Sequence, residues 1–359
     1  MNDHTNHQLN QLLTHFSVAD KTYSFSPLTD GFINDTFLVL DGTDPLYILQ
    51  RINHNVFTNV NGLMNNIHDA FKHLNDTDYQ KITLVPSLDG QSYYKNKGAE
   101  PSYWRVMTYI KDSTAHNTTK NTDVAFEAGK IIAKFNILLE KAEANNYVDT
   151  IPQFHDLQLR ENQFIAALAQ APEEKLKIAN EAIAFSNKVL ELLNKVNLNH
   201  LPIRVCHNDT KLNNILFSKS TNKALCLIDL DTLMKGKFLF DFGDAVRTIV
   251  NTAPEDEQNH DKITFEKELF KAFISGLAAN GPFLSKEEIE TLHWGAVLMP
   301  FLHGVRALTD YLNGNIYYKV AYENQNYDRS LSLLNFTKKA LEQTSFMQKI
   351  IMEKVTSKS

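Results

Sequence analysis

The segment VCHNDTKLNNILF at 205–217 sends a short apolar run into a polar loop, and LCLIDLDT at 225–232 ends a second apolar run on a carboxylate. Asp209 lies in the first loop, Asn214 follows five positions later, and Asp229 stands fifteen residues after Asn214. A carboxylate, an amide and a second carboxylate on loops between short paired strands are what phosphoryl transfer requires. One Asp accepts the proton of an attacking hydroxyl, while the amide and the other Asp offer oxygen to magnesium, a hard cation. The spacing assigns Asp209 to the base role and Asn214 and Asp229 to the metal. Asn and Asp also favour turns for local reasons, but turn formation alone does not call for three such residues at this spacing between two apolar runs.

Neighbouring polar residues are read more narrowly. His207 is expected to brace the loop through backbone hydrogen bonds rather than act as a base. Asp231, two residues beyond Asp229, reads equally as a second metal ligand or as a solvated charge at a strand end. Asp241 and Asp244, in LFDFGDAVR, begin a helical segment and do not end an apolar strand. One of them is expected to brace the catalytic loop or cap that helix.

At the other end of the chain, TDGFINDTFLV at 29–39 lies between two strand-like runs and carries one glycine, Gly31. By itself this is a turn. Folded over a nucleotide, its backbone N–H groups and the short side chains of Asn34 and Thr36 can cradle phosphates. The next run, YILQRIN, holds one cation, Arg51. It occupies the place of a strand lysine on nucleotide phosphates, with a solvated surface arginine as the other reading.

These residues need elements to hold them. Residues 1–20 read as a short helix with Leu9, Leu12, Leu13 and Phe16 on one side. Strand-like runs separated by Gly/Asp turns fill 22–50 and imply an antiparallel sheet. A helix follows from Val60 to Leu74, then two more strands, ITLVPSL and YWRVMTYI, joined by the polar turn DGQSYYKNKG. Beyond 111 the pattern is helical, with DVAFEAGKIIAKFNILLEKAEA a strong amphipathic helix and NQFIAALAQ and EEKLKIANEAIAFSNKVLELLNKV further helices. Strands return briefly around 203–232, and helices resume after 260. NTAPEDEQNHDK at 251–262 reads as a surface loop. The expected fold class is α+β with two lobes: residues 1–110 as an antiparallel sheet plus helix, and 111–359 as a mainly helical lobe with the catalytic loop and the acceptor site.

Bulk composition narrows the function. The chain has 359 residues, 43% of them hydrophobic, with a formal net charge of −6. That suffices for a large core and is long enough for two lobes. No basic stripe marks a nucleic-acid partner. Cys206 and Cys226 both lie in apolar runs and read as small core residues. The polar N-terminus lacks an apolar signal region, and no run of membrane-spanning length appears. The expectation is a soluble, cytoplasmic monomer.

HNDTKLNNIL together with IDLDT resembles the aminoglycoside phosphotransferase and choline kinase superfamily, whose fold is protein-kinase-like. DGFINDTFLV, YILQRIN, HNDTKLNNILF and IDLDTLMKGKFLFDFGDAVR taken together resemble the bacterial N-acetylhexosamine 1-kinases, and IPQFHD and TDYLNGNIYY extend the likeness across roughly 28–335. The resemblance implies transfer of the γ-phosphoryl group of ATP to the anomeric hydroxyl of N-acetylglucosamine or N-acetylgalactosamine, with Mg2+. It places Arg306 and Tyr317 on the sugar's hydroxyls, with Asp244 nearby. Phe32 stands where hexosamine-binding relatives can carry a histidine after the glycine. In that scheme the adenine lies against the hinge at 107–110, on Met107, Tyr109 and Ile110. Arg306, in an otherwise apolar run, is expected to meet a ligand or an internal partner such as Asp244.

Overall fold

The computed structural model describes residues 4–29, 33–97 and 101–357. Gly31 and Phe32 lie outside the described residues. The chain opens with α1 (Asn6–Leu13), started by a reciprocal cap in which Thr5 accepts from the Gln8 backbone and the Gln8 side chain accepts from the Thr5 N–H. Next come β1 (Ser24–Leu28), β2 (Asp35–Asp41), β3 (Asp44–Ile52), α2 (Val60–His73), β4 (Leu84–Val85), β5 (Tyr94–Asn96) and β6 (Ser102–Thr108). They form one antiparallel sheet in the order β1-β2-β3-β6-β4, with β5 also on β6. The β2–β3 hairpin turns at Gly42, whose φ of +62° is the left-handed conformation that glycine adopts without strain. The strand β5 lies inside the stretch read as a polar turn. Its alternation is masked by flanking Ser, Asn and Lys, and pairing with β6 supplies what local pattern does not.

Strand alternation gives this sheet two distinct faces. Val39, Leu49, Trp104 and Val106 pack with Leu9, Leu13 and Phe16 in one small core beneath α1. The opposite face, with Ile52 and Tyr103, packs on α2 and joins the main core of the molecule.

The helical lobe begins with the short β7 (Ser113–Thr114), then α3 (Thr122–Leu138), α4 (Leu157–Gln170), α5 (Glu173–Ile178) and α6 (Asn180–Leu193). The helix expected across 173–196 is thus two helices, broken at Ala179, where ψ opens to 6°. Then follow β8 (Arg204–Cys206), β9 (Ile215–Ser218), β10 (Ala224–Leu227), β11 (Met234–Gly236) and α7 (Phe238–Ile249). The chain closes with α8 (Lys267–Ala278), α9 (Lys286–Thr291), α10 (Gly295–Leu312), α11 (Gln325–Glu342) and α12 (Thr344–Lys354). Two antiparallel ribbons, β10-β9-β7 and β11-β8, hold the loops that carry His207–Asn214 and Asp229. The helix α7 crosses α10 at Gly243 and Gly295, where a Cβ on Gly243 would sit 2.0 Å from the Gly295 carbonyl oxygen. Both cysteines are buried and free. Among the described residues no helix is long and apolar enough to cross a membrane.

Candidate active site

The loops after β8 and β10 each turn through a left-handed residue. Asn208 has φ +63° and Asp229 φ +61°, both left-handed and costly for residues with a Cβ. Three carbonyls fix Asn208, whose Nδ2 donates to Cys206, Thr232 and Met234 at 3.1, 3.1 and 3.3 Å. The buried Asp241, on the first turn of α7, accepts from the backbone N–H of His207 (3.1 Å) and Asn208 (2.7 Å). Burial pushes its carboxyl up to about 6, against the pull of His207 and those N–H donors. Asp241 therefore braces the loop, as one of the two α7 aspartates was expected to do.

His207 serves the same end. Its Nδ1 accepts the Asp209 N–H at 3.2 Å, so Nε2 carries the proton and donates to the Ile228 carbonyl at 2.8 Å. One ring thus ties the residue before Asp229 to the backbone of Asp209. His155 adds a further clamp, with Nε2 3.0 Å from the Asn208 carbonyl. Burial drives its ring down to about 3, so it is neutral and donates there.

Asp209 lies within hydrogen-bond reach of Asn214 and near enough to Asp229 for their charges to interact. Asn214 Nδ2 donates to both the backbone oxygen and Oδ2 of Asp209, each at 2.8 Å. Lys211 Nζ lies 3.1 Å from the same Oδ2. Burial opposes the Lys211 charge, but Asp209 and Asp229 outweigh it and raise its pKa. Asp229 faces solvent, and no hydrogen bond from the described residues reaches its carboxylate. The surrounding protein and Asp231 push it up to about 6. Asn214 spends its N–H2 on Asp209, so its oxygen and the Asp229 carboxylate are the uncommitted donors. Both are hard oxygens of the kind magnesium takes, and no three His, Cys, Asp or Glu among the described residues form a rival metal cluster.

The sheet face above this loop differs from expectation in one respect. Arg51 stands on the α1 side, not the cleft side: it sits directly opposite Asp35 and Trp104 and is ion-paired to Asp35. A strand reverses its side at every residue, so the cleft side at this point of β3 belongs to Gln50. The cation on that face is Arg105 of β6, which pairs with Asp231 at 2.6 Å, both side chains about 2% exposed. Asp231 is thus neither a solvated strand-end charge nor an open metal ligand. Its other oxygen accepts from Asn34 Nδ2 at 2.7 Å. Thr36, also on the cleft side, accepts from Gln50 Nε2 at 2.9 Å. At the hinge, Met107 pairs with Ile48 and Leu84, and the Tyr109 N–H donates to Leu46. The Ile110 carbonyl accepts from Ser113 Oγ.

The helical side of the site gathers charge. Asp244 is 1% exposed, bonded to Arg247 Nε at 2.6 Å and 3.5 Å from His303 Nε2. Burial alone would raise its carboxyl, yet Arg247 and His303 hold it far below the usual range. Its Oδ2 is buried without a partner. Arg247 and Arg329 both pair with the partly exposed Glu255, so the 251–262 loop, read as a surface loop, is also anchored to the helices by ion pairs. Arg306 does not pair with Asp244. Its guanidinium lies over the Phe154 and Tyr317 rings at 5.4 and 5.8 Å and makes no hydrogen bond. Tyr317, 62% exposed, is positioned by Asp310, which accepts the backbone N–H of Tyr317 and Tyr318 at 2.8 and 2.9 Å.

Sequence reading passed over Arg105, Lys211, Arg247 and Glu255. Arg105 had a signal, a lone cation in the apolar run YWRVMTYI whose parity places it beside Gln50. Glu255 had none, because its partners are Arg247, eight residues before it, and Arg329, seventy-four residues after it, and no local pattern links them. A groove of about 1050 Å³ borders Asn208 and Phe240 but none of Asp209, Asn214 and Asp229.

A profile described as "Phosphotransferase enzyme family" matches residues 24–267. Among solved structures, a microcompartment-associated aminopropanol kinase superposes with TM-score 0.58 at 16% identity, covering 95% of this chain and 98% of its own. A spectinomycin phosphotransferase in complex with ADP and spectinomycin gives 0.62 at 11%, covering 97% and 100%. Choline kinase from Cryptosporidium parvum gives 0.59 at 13%, covering 94% and 97%. At these identities the likeness is one of fold: a kinase-like sheet lobe on a helical lobe.

Proposed function

Because the chain belongs to the phosphotransferase enzyme family, we propose that it transfers the terminal phosphoryl group of ATP to the anomeric hydroxyl of an N-acetylhexosamine. The observation that carries the reaction is the Asp209–Asn214 hydrogen bond at 2.8 Å beside the partner-free carboxylate of Asp229. A base, an amide oxygen and a second carboxylate then face one cleft. Asn214 and Asp229 are the residues that would hold Mg2+, which when bound neutralises phosphate charge.

Asp209 accepts a hydrogen bond from the acceptor hydroxyl and takes its proton as the oxygen bonds to the γ-phosphorus and ADP departs. An anomeric hydroxyl is more acidic than an ordinary alcohol, so a carboxylate serves as base without unusual basicity. Lys211 and Asn214 fix the direction of that carboxylate. Positioning and charge neutralisation lower the barrier.

The acceptor end supports an uncharged, hydroxyl-rich substrate. Arg306 on two aromatic rings offers free donors beside apolar surface, and Asp244 Oδ2 offers a buried acceptor. Arg160 is close enough to Arg306 for the two charges to repel, and Arg247 neutralises Asp244. Such a wall disfavours a polycation. A side-by-side assay of ADP release with N-acetylglucosamine, N-acetylgalactosamine, glucose, galactose and kanamycin tests the acceptor. Turnover confined to kanamycin would overturn the hexosamine reading. Asp209→Asn is expected to lose turnover by about 1000-fold or more while ATP still binds, and near-normal rates in that variant would remove Asp209 from the chemistry.

A further inference from the structure

Gln50 and Arg51 are neighbours on β3, and strand geometry sends them to opposite faces. The residue facing the cleft is an amide, so that face takes its positive charge from the next strand. Arg105 lies directly across from Gln50 in the β3–β6 register. Its Nε and Nη2 donate to Gln50 Oε1 at 2.9 and 2.5 Å, and its Nη1 reaches Asp231 Oδ1 at 2.6 Å. Gln50 in turn donates to Thr36 of β2. Asp231 Oδ2 accepts from Asn34, whose own oxygen accepts the Asn53 N–H at 2.9 Å. The contacts form a closed circuit. They leave the sheet at Arg105, enter the helical lobe at Asp231, and return to Asn34, just before β2. Asp231 sits two residues from Asp229, on the tight turn that Asp229 begins.

We propose that the Arg105–Asp231 pair is a strut that fixes the sheet against the Asp229 turn, making Arg105 a positioning residue for the phosphate end of the nucleotide. The proposal rests on the ATP-dependent reading above and deepens it. A buried ion pair repays its desolvation poorly, so deleting both charges together costs far less stability than deleting one. What such a substitution removes is the charge–charge contact between sheet and loop, and an apolar contact lets the two surfaces slide. The strut therefore predicts that stability and function part company when both charges are deleted together.

The test is the double variant Arg105→Met/Asp231→Asn. The new amide on the Asp229 turn can still accept from Asn34, and the new thioether chain on β6 fills the space beside Met64. The variant should stay folded, melting somewhat below the wild type because Gln50 Oε1 loses its donors, and bind AMP with unchanged affinity. Its affinity for MgATP, measured by calorimetry without acceptor, should fall by about tenfold, and kcat/KM for ATP by about 100-fold. A folded double variant that keeps both values within about twofold overturns the strut. Should the double variant not fold, Asp231→Asn decides: it removes the charge that Arg105 meets and keeps the contact with Asn34. It should weaken MgATP binding and spare AMP, and unchanged MgATP affinity there overturns the proposal. A wild-type chain that binds no MgATP defeats the nucleotide reading itself, whereas wild-type binding with indifferent variants defeats the strut alone.

Discussion

At the scale of single residues, the site is a set of side chains whose hydrogen bonds are spent on one another and whose remaining atoms point outward. Asn214 gives its nitrogen to Asp209 and keeps its oxygen. His207 is committed at both nitrogens, which excludes it from proton transfer. Lys211 is the member whose loss is most informative. Its ammonium lies 3.1 Å from Asp209 Oδ2, near Asp229 as well. Lys211→Met keeps most of the volume and removes one cation from between two carboxylates. The expected result is a fall in kcat of about 100-fold with a smaller change in the KM for ATP, read from steady-state kinetics. An unchanged kcat would mean that Asp209 is oriented by Asn214 alone.

At the scale of elements, α7 is the organiser. Its first turn carries Asp241, which receives the catalytic loop, and its second carries Asp244, which faces the acceptor side. The helix reaches this depth because Gly243 and Gly295 let α7 and α10 touch backbone to backbone. Gly243→Ala would place a methyl group 2.0 Å from the Gly295 oxygen, a backbone atom that cannot swing aside. The helices must separate, at a cost of about 3 kcal/mol. Since the two aspartates flank Gly243, activity in the folded fraction should drop as well. Urea midpoints and kcat measured on one preparation check both, and a variant normal in each would refute the close-approach account.

At the scale of the whole molecule, distant segments are tied by charge. Glu255, from the 251–262 loop, joins Arg247 of α7 to Arg329 of α11. Burial alone would raise its carboxyl, but Arg329 and Arg247 reverse this and hold it well below the ordinary value. A carboxyl depressed in the folded state contributes stability above its unfolded pKa and loses it as the pH falls through the folded value. Glu255→Gln should therefore cost about 1–2 kcal/mol at neutral pH, with the gap to the wild type closing below about pH 4. Melting curves of both proteins from pH 7 to pH 3 provide the measurement. A constant gap would show that charge is not what holds the loop.

The sequence determined by itself the lobe character, the order of most elements and the Asp209–Asn214–Asp229 spacing, because apolar periodicity and fixed offsets are local properties. Alternation along YILQRIN and YWRVMTYI even contained the parity that separates Arg51 from Gln50 and Arg105. Which parity faces the cleft was settled only when α1 covered one side of the sheet and α2 the other. The break at Ala179, the strand at Tyr94–Asn96, the anchoring of Glu255 and the engagement of Asp231 were likewise decided by tertiary structure. Asp231 meets a partner more than a hundred residues away and Glu255 one more than seventy away, and a buried charge takes its meaning from the groups that surround it in space.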